Sequence, residues 1–81
     1  MARVGIPFPF SPWTQRSLGP VGMAAARKLT LAGDEVRAYA AEAHGPFTVW
    51  VIRGDVVVVG VGTTAGEALA RALAKLPEAV A

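Results

Sequence analysis

Eighty-one residues, 53% apolar and only 17% charged, make one small domain with ample core material and unusually little surface charge. The absence of cysteine excludes disulfides and thiolate metal sites. No stretch nears the roughly 18 uninterrupted apolar residues of a membrane span, and Pro7, Pro9 and Pro12 break up any signal-peptide-like apolar helix, so a soluble, cytoplasmic protein is expected.

The net charge of +2 is unevenly spread. Arg3, Arg16, Arg27 and Lys28 are the only charged side chains before Asp34, and acidic residues outnumber basic ones thereafter. The basic N-terminal third therefore suits an acidic surface, protein or nucleic acid.

Residues 1–20 read as an extended arm, because the prolines cannot sit inside a helix and bias the residues before them toward extended backbone. Phe8, Phe10 and Trp13 are half of the chain's aromatic residues. An arm this apolar wants burial, either across its own domain or against a partner. Residues 21–81 are read as a single domain.

Residues 21–33 support two readings. The alanine run favours helix, whereas Lys28 to Ala32 alternates like a strand and Gly33-Asp34 could turn a hairpin. Residues 34–44 are expected to be helical, with Asp34 as N-cap, Val36, Tyr39, Ala40 and Ala43 on one face, and His44-Gly45-Pro46 as the stop.

Phe47 to Arg53 and Val56 to Val61 are β-branched and aromatic runs joined by Gly54-Asp55, which suits a primed two-residue turn. That turn sets Arg53 opposite Val56, Val51 opposite Val58 and Trp50 opposite Val59. One face then carries Phe47, Val49, Val51, Val56 and Val58, the other Trp50, Ile52, Val57, Val59 and Val61. Both faces are apolar, so something must cover the second one: the arm, a dimer mate or a partner. Open strand edges also invite pairing by β-addition. Thr64 and Glu67 have capping-box spacing before a helix of about residues 65–76, with Ala65, Leu69, Ala72, Leu73 and Leu76 facing the sheet and Glu67–Arg71 paired outside.

Little of this supports chemistry. Gly60-Val61-Gly62-Thr63-Thr64-Ala65 matches a dinucleotide fingerprint in form, but it follows a hairpin strand rather than opening a βαβ unit. Its glycines are expected to bring helix and strand close together. Free amides at the helix start offer a weak anion site. His44 is the only histidine, Ser11 and Ser17 lie in the arm, and Asp34, Glu35 and Glu42 do not converge by spacing alone. No enzyme activity, cofactor or metal is expected.

Gly62-Thr63-Thr64-Ala65-Gly66-Glu67-Ala68, at the strand–helix junction, resembles the corresponding junction of HicB-type antitoxins, which implies a small α/β module and a regulatory role. The hairpin and following helix are also similar to double-stranded-RNA-binding domains. That family grips phosphate with a lysine cluster where this chain has Thr63, Thr64, Ala65 and Gly66. In kind, the chain looks like small phage or mobile-element inhibitors, including anti-CRISPR proteins.

The expected architecture is α+β: extended arm, helical region, then helix, β-hairpin and helix, with the helices packed on a small antiparallel sheet. The expected function is that of a non-catalytic protein-binding module, an inhibitor of a larger host complex acting by surface occlusion. Its partner would be a protein, alone or within a nucleoprotein assembly, with homodimerisation compatible. Contact residues are expected at Phe8, Phe10, Trp13, Arg16, Arg27, Lys28, Trp50 and Arg53. The alternative is an antitoxin-like or nucleic-acid-binding regulator using the basic N-terminal third.

Overall fold

In the computed structural model, which describes residues 5–8 and 10–76, the elements are β1 (Ile6–Pro7), α1 (Pro12–Leu31), β2 (Glu35–Tyr39), β3 (Phe47–Arg53), β4 (Val56–Gly62) and α2 (Ala65–Lys75). The strands form one antiparallel sheet in the order β1-β2-β3-β4. The fold is α+β, but the order is a two-residue strand, a long helix, three strands and a helix, rather than helix, hairpin and helix.

The β3–β4 hairpin has the expected register, with Arg53 opposite Val56, Val51 opposite Val58 and Trp50 opposite Val59. Gly54 has φ +58°, and no non-glycine residue among those described has positive φ. Only the first central residue of the turn is therefore left-handed, as a type II′ turn requires.

Residues 34–44 are not a helix. Glu35–Tyr39 pairs with β3, and Val36 and Ala38 are buried while Glu35, Arg37 and Tyr39 lie on the opposite face. Val36, Tyr39, Ala40 and Ala43 do fit helical spacing, but Val36, Ala38 and Ala40 fit a strand equally. The waiting edge of β3 decides between the two periods. His44 consequently lies in the β2–β3 loop, exposed and paired with Glu42 at 2.9 Å, rather than at a helix end.

The ambiguous residues 21–33 are mostly helix, and the extended arm is shorter than expected. Pro12 opens α1 at a first-turn position where its missing N–H is no loss. Gly19 (φ +73°, ψ 172°) breaks the helix and Pro20 restarts it, so both prolines are accommodated at helix starts instead of excluding helix. At the far end Gly33 (φ +98°) donates to the Thr30 carbonyl and Asp34 to that of Leu29, a Schellman cap. Gly33-Asp34 thus ends a helix and does not turn a hairpin.

Both helices lie on one sheet face. Val36, Ala38, Phe47, Val49, Val51 and Val58 from the strands meet Leu18 and Ala26 of α1 and Ala65, Ala68, Leu69 and Ala72 of α2. Phe10 closes this core from the arm, and Phe8 packs edge to face on it, with ring centroids 5.4 Å apart. Ser17 Oγ accepts from the Ala65 N–H at 2.8 Å, tying α1 to the start of α2. Asp34, buried, accepts two hydrogen bonds from Arg53 (3.0 and 2.8 Å), joining the α1–β2 junction to the end of β3.

Helix α2 sits on β4 at backbone contact. A Cβ on Gly60 would overlap the Ala68 carbonyl oxygen and lie 2.5 Å from the Ala72 nitrogen, and one on Gly62 would lie 2.9 Å from the Ala68 nitrogen. The glycines of the fingerprint-like stretch serve this close approach.

Because only backbone surrounds the missing Cβ, Gly60→Ala cannot be relieved by a rotamer change. We expect a loss of about 3 kcal/mol or more, a drop in Tm of about 10 °C or more, or failure to fold, read by thermal unfolding. A second expectation concerns pH. The hydrogen bonds from Arg53, then its charge, hold the Asp34 carboxyl below its ordinary value, outweighing burial. A pKa depressed on folding stabilises fully above the unfolded value of about 3.9 and is lost as pH falls through the lower folded value. The urea midpoint should therefore drop as pH falls below about 4. Asp34→Asn should be less stable at neutral pH and show a shallower acid decline.

Candidate functional site

With both helices on one side, the other side of the sheet carries three cross-strand rows. Tyr39, Thr48 and Val61 form the first, Arg37, Trp50 and Val59 the second, and Glu35, Ile52 and Val57 the third. Tyr39, Val57 and Val61 are 52%, 56% and 49% exposed, and Trp50, Ile52 and Val59 are half-buried by their neighbours alone. Among the described residues of the arm, Gly5 reaches this face; Arg3 and the rest of residues 1–4 lie outside the described residues. Strand β1 pairs along the edge of β2, and Gly5 abuts one side of the Trp50 ring, where a Cβ would lie 2.9 Å from the indole.

The rows hold two charged side chains, and these neutralise each other. Arg37 donates to Glu35 at 2.8 Å and to the Gly5 carbonyl at 2.7 Å, so its guanidinium also fixes the arm. The result is a largely apolar, electrically balanced surface with a tryptophan in its middle row. Such a surface desolvates cheaply against another apolar surface, and its one cation is already paired with a carboxylate.

The eight residues singled out from sequence do not form one patch. Phe10 is in the core and Phe8 packs against it, so the chain itself occupies both. Arg53 is committed to Asp34. Trp13 (39% exposed), Arg16, Arg27 and Lys28 are exposed along α1, across the sheet from Trp50. Trp50 alone belongs to the open face. Ile52, Val57, Val59 and Val61 were legible there from the hairpin register. Glu35, Arg37 and Tyr39 were missed because their segment reads as helix, although their alternation with Val36 and Ala38 was a usable signal.

At the start of α2 the chain's own side chains take two of the first three helical amides and place a carboxylate there. Ala65 N–H donates to Ser17 Oγ and Glu67 N–H to Thr64 Oγ1 at 3.0 Å, while Glu67 Oε1 accepts from the Thr63 N–H at 2.9 Å. This is a capping box whose return bond falls one residue earlier than usual. The Thr63 N–H, and then Arg71, lower the Glu67 pKa. A groove of about 370 Å³ between the helices has an apolar floor including Ala25, Leu29 and Leu73, with Lys28 and the Asp34–Arg53 pair at its rim. It brings together no nucleophile and base. Among the described residues no group of three His, Asp or Glu could hold a metal ion, and no helix is long and apolar enough to cross a membrane.

No protein-family model matches the chain, and neither the curated proteins nor the solved structures include a match.

Proposed function

We propose that this protein is a non-catalytic protein-binding module whose contact surface is the open sheet face around Trp50, and that it acts as an inhibitor by occluding the surface it covers. The observation that carries this reading is the exposure of Tyr39, Val57 and Val61 on the same sheet face as Trp50, with the only two charges in the rows paired to each other. Buried aromatic anchors surrounded by aliphatic side chains supply most of the energy at protein interfaces. A tryptophan already held by its neighbours loses little freedom on binding. Phe8 and Phe10 do not share this role, since both are used within the chain. The cations on α1 face the other way and are not needed for the contact.

Affinity capture from the source cell, with nuclease present, tests this. Val57→Lys/Val61→Lys places charge at exposed positions of the face, and the domain should still fold. The wild-type bait should retain a stoichiometric protein at high salt, and the double variant should retain on the order of tenfold less. Arg27→Glu/Lys28→Glu should bind like wild type. Capture that survives the lysines but is lost with the α1 cations, with nuclease or with salt would instead assign the protein to nucleic-acid binding.

A further inference from the structure

Strand β4 ends the sheet, and its outer edge is not bare. In the hairpin register, Arg53 and Val56 flank the two-residue turn as a hydrogen-bonded pair, so the backbone groups of Val57, Val59 and Val61 point away from β3. Two of these outward carbonyls are taken by α2. Arg71 Nη1 donates to the Val61 oxygen at 2.8 Å, and Lys75 Nζ donates to the Val59 oxygen at 2.7 Å. One turn earlier, Glu67 accepts from the Thr63 N–H, the next outward position. Helix and strand run antiparallel here, and their steps match. Four helical residues rise about 6.0 Å, and two strand residues advance about 6.6 Å. Residues 67, 71 and 75 therefore address positions 63, 61 and 59 in turn.

We infer that Arg71 and Lys75 bar the β4 edge from strand addition, and that the partner they exclude is the β4 of a second copy. Pairing about a two-fold at Val59 would set Val57 opposite Val61 of the second copy, and each outward N–H and carbonyl would find a complement. It would also bring valines from both strands together on the already apolar open face, where cross-strand β-branched pairs are favourable. Nothing on the strand itself opposes this: Val56–Gly62 has no charge, no proline and a run of β-branched residues, the composition that edge strands ordinarily avoid. Protection comes from the helix. This inference stands on the edge alone and is independent of what binds the face.

Analytical ultracentrifugation of three proteins tests it. Arg71→Gln/Lys75→Gln keeps helix-forming residues but shortens both donors. Arg16→Gln/Arg27→Gln removes the same charge far from the edge. The edge variant should show a doubled mass or larger assemblies, while wild type and the control stay monomeric. Adding Val59→Pro to the edge variant, which removes an outward N–H, should restore the monomer. A monomeric edge variant, equal association of the control, or association that survives Val59→Pro would overturn the inference. Amide exchange in the wild-type protein gives a second reading that needs no variant to fold. Val57, Val59 and Val61 should exchange freely while Val58 and Gly60 are protected. Protection of the first three would mean that the edge is already paired, and would also overturn the inference.

Discussion

The missing side chain of Gly60 is the constraint on which the rest of the molecule depends. It lets α2 touch the backbone of β4, so that the small residues of its inner face (Ala65, Ala68 and Ala72) are buried completely beside Leu69, with Leu73 partly buried against the same core. With the helix seated there, its outer row reaches the strand's outer carbonyls. The close seat of α2 also leaves room on the same face for α1, bonded to it through Ser17. Putting both helices on one side is what leaves Trp50 and its neighbours uncovered on the other.

The low charge content acquires a second meaning in this light. Asp34 is joined to Arg53, Glu35 to Arg37, and Glu67 to the backbone at Thr63. Arg71 and Lys75 are bonded to strand carbonyls. Much of a small complement of charge is therefore spent inside the molecule, on joints between elements. Among the described residues, Arg16, Arg27 and Lys28 stand exposed on α1 outside these joints. The molecule thus has a basic helical side and a neutral sheet side, and a ligand chosen by charge would meet a different surface from one chosen by apolar fit.

What was legible in the sequence was local. The hairpin register follows from one two-residue turn, the α2 cap from Thr64 and Glu67, and the tight strand–helix seat from the glycines of β4. These contacts join residues close together in the chain. The misread segment shows the opposite case. Val36 to Ala43 satisfies helical and strand periods together, and the choice rests on β3, a partner whose availability no local pattern reveals. Pro12 and Pro20 likewise read as breakers, but each stands at a helix start, the place where proline fits. The open face was half legible: its β3 and β4 rows follow from the register, and its β2 row was hidden by the helix reading.

The strap made by β1 and Phe10 differs in kind from the rest of the structure. Residues 47–76 form a continuous unit in which each element packs on the next, so closing it costs little loop entropy. Pro7 meets Arg37 only after some thirty intervening residues have been ordered, and the pairing then spans two residues. Local opening draws on the least reinforced contacts. The strap is held mainly by Phe10 in the core and by Arg37 on the Gly5 carbonyl, whereas hairpin and α2 hold each other along their whole length. The sheet's two borders are therefore closed by different means: β4 by side chains rooted in a helix, β2 by a two-residue strand of the chain itself.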